Sequence, residues 1–482
     1  MLGNASAWIQ CRGAARLLFA AGTLVRLLVE SSYGQCQRAK LVAPDGGEDD
    51  RFGHSVAVEG GVVIVGAIRH DHFDAGYGWG AVYVHDRAAA WTDGIEITTP
   101  NGGGFVGWSL AMDEGVAIVG AKGTRPFSLE KVEGVWTITG RLVADQPTGQ
   151  TEYGRSVGIS GSRAIVGAPR DGENGYTAGA AYVFERDPNG VWAQAAKLLA
   201  GDAQEGDQLG YSAAIDGGVA VIGAWTDDDL GFASGSAYVF ERDPNGAWRQ
   251  TAKLLADNGK AIDGFGLSVA VSAGTVFVGS QNGTGSSAHS GAVYVFEQDS
   301  SGVWRQTQRL AGDDGEEWDE FGTAVAADGD LAIFGAPGDD DQGNRSGAVY
   351  VFQRTPGGWA ELAKLRADDG HAQLYVGRAV ALHGHTAVVG VYDDTPYGYQ
   401  SGSAYIFAVG PDADGDGVMD ICQCAGDLDG DFIVGLPDLA TQLANFGAAG
   451  GAAYEDGDLD LDGDVDLFDL SAMLGQYGQV CW

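Results

Sequence analysis

Positive charge is scarce in this chain. Lys and Arg number 28 against 66 Asp and Glu over 482 residues, a formal net charge of −38. A surface of that sign repels phosphate backbones, which argues against nucleic acid as a partner. Two catalytic signatures are also missing: there is no phosphate-cradling Gly-x-x-x-x-Gly-Lys-Ser/Thr loop and no His-Glu-x-x-His pair. The eight histidines are scattered, with His70 and His72 flanking Asp71. A transition-metal site needs a third convergent ligand that the sequence does not point to, so this pair reads as incidental. Long apolar runs are absent too. The run Leu17–Val25 is too short to span a bilayer. Arg12 and Arg16 precede it and Ser32-Tyr33-Gly34 follows it, the three parts of a secretory signal over residues 1–34. A mis-assigned start codon or a disordered leader is the other reading of that segment. An exported chain would be secreted, or held at the cell surface or in the periplasm, with no transmembrane segment once mature.

What the chain has in quantity is glycine, 79 residues of it, arranged in a repeat. The clearest copy runs from Phe321 to Leu365 and holds four short apolar or alternating runs, each closed by a turn signal, which is the pattern of an antiparallel meander. The glycine that closes the second run recurs as Gly66, Gly120, Gly167, Gly223, Gly279, Gly335 and Gly390, at spacings of 54, 47, 56, 56, 56 and 55 residues. A four-stranded unit of this size cannot bury both faces alone, so the copies must pack on one another, and radial packing of such units makes a β-propeller. The third run of each copy is unbroken in apolar types, as in Ala292-Val293-Tyr294-Val295-Phe296, and should be buried on both faces. In the divergent second copy it is expected near Phe127–Lys131. The last copy stops at Ala404–Phe407, while Gln37-Arg38-Ala39-Lys40-Leu41 repeats the end of a fourth run. The N-terminal segment therefore supplies the outer strand of the seventh sheet and leaves no seam.

An aromatic or apolar residue followed by Gly opens each copy, as in Phe52-Gly53, Phe265-Gly266 and Phe321-Gly322, and Gly-Ala-Pro or a variant closes the second run, as in Gly167-Ala168-Pro169 and Gly335-Ala336-Pro337. This resembles the FG-GAP repeat of the integrin α-subunit head and of bacterial surface proteins. The resemblance implies an all-β seven-bladed propeller over residues 35–409. Its calcium sites are not carried over, because the joint between first and second runs is only a short turn such as Asp328-Gly329-Asp330, too small to wrap six to eight oxygens round an ion. The long loops between second and third runs share the opposite face and concentrate acids and aromatics. Trp79, Trp225, Asp227, Asp340 and Tyr392 are the candidate ligand-binding residues there.

Composition shifts after Val409. From Pro411 to Trp482 there are sixteen acids and no Lys or Arg. Asp412, Asp414, Asp416 and Asp420, in an Asp/Cys-rich stretch over 410–425, resemble the calcium-wrapped type 3 repeats of thrombospondin. Two stronger copies follow over 426–482. Asp427, Asp429, Asp431 and Asp438 stand at loop positions 1, 3, 5 and 12 with Ile433 at 7, and Asp458, Asp460, Asp462 and Asp469 repeat them with Asp464 at 7. Each loop runs into a helical pattern, Leu439, Leu443 and Phe446 in one and Leu470, Leu474 and Tyr477 in the other. The pair is similar to dockerin, a small α, EF-hand-like module, and implies bound Ca²⁺ and a cohesin-like partner. Phe432 replaces the usual Gly at position 6, and positions 10 and 11 are apolar, Leu436-Pro437 and Leu467-Phe468. With Cys11 removed by cleavage, Cys36, Cys422, Cys424 and Cys481 remain. One bridge from Cys36 to Cys422 or Cys424, with the other of those two joined to Cys481, is the expected pairing. The reading as a whole is an exported, non-enzymatic calcium protein that binds a protein or an extracellular glycan. A tethered polysaccharide-degrading enzyme and a structural envelope repeat protein are the alternatives.

Overall fold

A computed structural model describes residues 37–70, 79–89, 91–92, 94–99, 104–122, 124–145, 151–410 and 436–446, with positions 465, 470, 473 and 474. Gln37–Phe407 form one compact unit, and the residues from Ala408 onward belong to a second. The expected leader, all four cysteines and the calcium-loop positions 412–431, 433, 458–464 and 469 lie outside the described residues.

The first unit is a seven-bladed β-propeller. Its strands form seven four-stranded antiparallel sheets, and in six of them the spatial order follows the chain. The fifth blade shows the pattern, with Ser268–Ser272 innermost, then Thr275–Ser280, Ala292–Gln298 and the outer Trp304–Leu310. The innermost strands contact one another in succession round the ring, from Phe52–Glu59 to Ala379–His383 and back. In the seventh sheet the outer strand is Gln37–Leu41, whose Leu41 pairs with Ala404 and Gln37 with Phe407. That is the closure expected from the sequence. The third strand of the second blade is Phe127–Val132, also where the pattern predicts it.

Local chemistry explains the repeat. Second and third strands are buried on both sides because each sheet is covered by its neighbours. One such inter-blade core joins Phe277, Val293 and Val295 to Phe334, Tyr350 and Phe352 of the next blade. The aromatic residue of the opening pair plugs the blade it introduces: Phe265 packs edge-on against Tyr294, and Phe321 against Tyr350, both at 5.3 Å. The two motif glycines mark where adjacent backbones touch. Gly322 N–H donates to the Gly335 carbonyl at 2.9 Å. A Cβ on Gly335 would lie 1.8 Å from the Gly377 carbonyl of the following blade, so no other residue fits.

In the second unit a helix covers Leu436–Asn445, where the sequence predicts one. Its Leu443, and Phe446 just past its end, are exposed while Gln442 is buried, the reverse of the face that the apolar spacing suggests. Among the described residues no helix is long and apolar enough to cross a membrane.

Candidate functional site

The three residues after each opening pair start an innermost strand, so they line the axial channel at its mouth on the long-loop side. The second of the three is Ser in five blades. Its hydroxyl donates to the motif glycine carbonyl of the next blade, Ser55 to Gly107 at 2.6 Å and Ser268 to Gly322 at 2.7 Å, so these side chains stitch blades together. The third is apolar and floors the channel with residues such as Val56, Val157, Val269 and Val380. The first ring, His54, Trp108, Arg155, Tyr211, Leu267, Thr323 and Arg378, rims a funnel of about 480 Å³ that also includes Tyr392, Arg345 and Glu320 from the loops above.

This rim is cationic and aromatic on a chain of the opposite overall sign. The Arg155 guanidinium lies 4.1 Å from the Tyr211 ring centroid and 5.5 Å from that of Trp108. Lys122 stands 4.7 Å from the Trp108 centroid. Arg378 sits 5.3 Å from the Tyr392 centroid and donates to the Tyr392 hydroxyl. Burial first, then the charge of Arg155 with Arg51 and Arg378 behind it, pushes the His54 imidazole down to about 3, so it is neutral at physiological pH. Among the described residues, buried polar atoms at or behind the rim without a hydrogen-bond partner include Nδ1 of His54, the indole N–H groups of Trp108 and Trp225, and Nε of Arg378. The other cations here have carboxylates nearby, Lys122 with Glu152 at 3.0 Å, Arg345 with Glu320 at 3.4 Å and Arg378 with Asp393 at 3.6 Å. Arg155 has none within ion-pairing distance among the described residues.

The residues expected to bind ligand are divided by the structure. Tyr392 lines the funnel. Trp225 stacks at a tilt on Tyr211, 5.1 Å between centroids, and so stands behind the rim. Trp79 is half-buried and its backbone carbonyl accepts from Val106 N–H at 3.0 Å. Asp340 is exposed on its loop. Asp227 differs from expectation: it is 2% exposed, and its carboxylate takes the Lys253 ammonium at 2.9 Å with the Tyr238 and Ser236 hydroxyls. Asp171, Asp339 and Asp394 are buried in the same way against Lys197, Lys364 and Lys40. These aspartates point into the blades because each of these four blades carries its own lysine on the outer strand. The rim residues His54, Trp108 and Arg155 escape a composition-based search. Aligning the position after each opening pair would have found them.

The FG-GAP repeat family matches residues 36–85, 136–184, 192–240, 248–296, 304–352 and 359–407. Each match begins at an outer strand and ends at or near the third strand of the following blade. The interval left out holds the short outer strand Ile95–Ile97 and the divergent second blade up to Val135. No curated protein matches the chain. Among solved structures, a chain from the crystal structure of a mitotic checkpoint complex aligns at 13% identity over 83% of this chain and 98% of its own, with a TM-score of 0.47. The six matched segments cover more than half of the sequence, and the protein belongs to the FG-GAP repeat family.

Proposed function

We propose that the protein is an exported binding module whose axial funnel takes a carboxylate-bearing glycan, and whose acidic C-terminal segment binds Ca²⁺ and attaches the propeller to a cohesin-like or cell-surface partner. The observation that carries the funnel assignment is Arg155, held between two aromatic faces with no carboxylate of its own among the described residues. A planar guanidinium offers paired N–H donors to a carboxylate, and the flanking rings give a sugar its apolar contact. The net charge of −38 does not oppose this, because exposed charges beyond about 8 Å are screened at physiological salt and the local field comes from the arginines. For the C-terminal segment, support comes from the two Asp-rich loops in register and from the helix at Leu436–Asn445 that follows the first of them.

Calorimetric titration of the full chain with an oligouronate and with a neutral oligosaccharide of equal length tests the funnel. Binding of the acidic ligand alone is expected; equal binding of both, or of neither, contradicts the assignment. Calcium titration followed by circular dichroism tests the other end. A cation-dependent gain in helix, lost when Asp427 and Asp458 are both changed to Asn, is expected, and an unchanged spectrum contradicts it.

A further inference from the structure

The first blade breaks the charge pattern of its sisters at one point. In four blades the third-strand tyrosine is paired in register with an outer-strand lysine: Tyr182 with Lys197, Tyr238 with Lys253, Tyr350 with Lys364 and Tyr405 with Lys40. The ammonium in each lies against the aspartate four residues after the second-strand glycine. In three of them a second aspartate, on the loop entering the blade, completes the pocket. Lys364, for example, is 2.6 Å from Asp339 and 2.8 Å from Asp314. In the first blade Tyr83 is paired with Glu96. The loop aspartate is kept as Asp45, which accepts from the Tyr83 hydroxyl at 2.7 Å as Asp314 does from Tyr350. The remaining position, four residues after Gly66, is His70. The cation has become a carboxylate, and a carboxylate has become an imidazole.

We infer that Asp45, His70 and Glu96 form a site for a divalent transition-metal ion, which takes the place that a lysine ammonium holds in the sister blades. One ligand atom from each lies within 4.8 Å of the other two. Nε2 of His70 is 3.4 Å from Glu96 Oε1 and 3.7 Å from Asp45 Oδ2. Ligands about 2.0–2.1 Å from a tetrahedral zinc ion stand roughly 3.3 Å apart, so the two gaps from His70 need only a small contraction. The other ring nitrogen supports the assignment. His70 Nδ1 lies 3.1 Å from Asp50 Oδ2, and Asp50 is itself only 4% exposed and held by Gly47 N–H at 2.7 Å. Asp50 as acceptor places the proton on Nδ1 and leaves the Nε2 lone pair facing Asp45 and Glu96, the outer-shell arrangement of metal-bound histidines. His70 is 7% exposed, whereas the Asp45 side chain is half exposed, so the site is rigid on one side and open to an entering ion on the other. One imidazole with two carboxylates suits zinc or its neighbours better than calcium, which prefers all-oxygen shells. The sequence conceals the site because its three ligands come from separate segments, a loop, a second loop and an outer strand.

The test is titration of the full chain with Zn²⁺, and with Co²⁺ followed by its visible absorption bands, in millimolar Ca²⁺ so that any calcium loops are already filled. One ion per chain is expected to bind with cobalt bands of nitrogen and oxygen ligation. Glu96→Lys restores the sister-blade cation, so it should weaken binding at least 100-fold while leaving the circular dichroism spectrum unchanged. Asp45→Asn should weaken it about tenfold or more and decides the matter if Glu96→Lys fails to fold. No uptake by the wild type, or uptake unaffected by the substitutions, overturns the proposal and leaves His70 as the cluster's own cation.

Discussion

Lys364 and Arg155 carry the same charge in the same propeller and have opposite surroundings. Lys364, on the outer strand of the sixth blade, has carboxylates of Asp314, Asp339 and Asp341 at 2.8, 2.6 and 2.7 Å and the Tyr350 ring centroid at 5.0 Å. Burial works against its charged form, but Asp339 and the other two carboxylates outweigh that and raise the ammonium above its ordinary range. Arg155, at the axial mouth, touches two aromatic faces and no carboxylate among the described residues. A cation whose charge is answered inside the blade holds the fold together. One held rigidly without an answer is poised for something outside it.

The largest separation should come from removing the buried cation. Lys364→Met keeps the aliphatic stem but leaves Asp339, 2% exposed, without its charge partner, which should cost about 3 kcal/mol of stability in a denaturant titration. Oligouronate affinity should stay within twofold of wild type. The converse substitution, Arg155→Ala, should weaken oligouronate binding about 10- to 100-fold, or about 1.4–2.8 kcal/mol, with unfolding midpoints within about 0.5 kcal/mol of wild type.

A smaller effect separates acids that have a cation from acids that lack one. Burial pushes the carboxyls of Asp207 and Asp319 up to about 6, with Asp227 and Asp339 as nearby like charges. A carboxyl raised in the folded state binds more protons folded than unfolded between about pH 4 and 6. Stability is therefore fullest below pH 4 as far as these two groups are concerned, and falls as pH rises through 6. Asp314, which Lys364 and Tyr350 hold below the usual carboxylate range despite burial, works in the opposite direction and loses its contribution on acidification. Asp319→Asn should flatten the decline between pH 4 and 6 by on the order of 1 kcal/mol. A decline as steep as wild type would show that Asp319 does not carry it.

Much of the propeller was legible in the sequence because its information is local and repeated. The opening aromatic-Gly pair, the glycine at the end of the second run and the apolar third run each act through neighbours at fixed offsets. Even the ring closure follows, since Gln37–Leu41 carries the ending that the last copy lacks. Burial of polar groups was not legible in the same way. Asp227 reads as a surface acid from its Asp-Asp-Asp context, and only the fold shows Lys253, 26 residues later, reaching it. His70 reads as incidental because Asp45 lies 25 residues before it and Glu96 26 after. The funnel rim went unnoticed because its residues share a position and not a chemistry: imidazole, indole, guanidinium, phenol, aliphatic and hydroxyl groups all occupy it.

The division between answered and unanswered cations is tested most directly by measuring unfolding free energy and oligouronate affinity on the same preparations of Lys364→Met and Arg155→Ala. The account predicts that the first variant loses stability and keeps affinity while the second keeps stability and loses affinity. If Arg155→Ala lowers stability as far as Lys364→Met does, or binds the acidic ligand as tightly as wild type, the mouth of the channel is not the binding site.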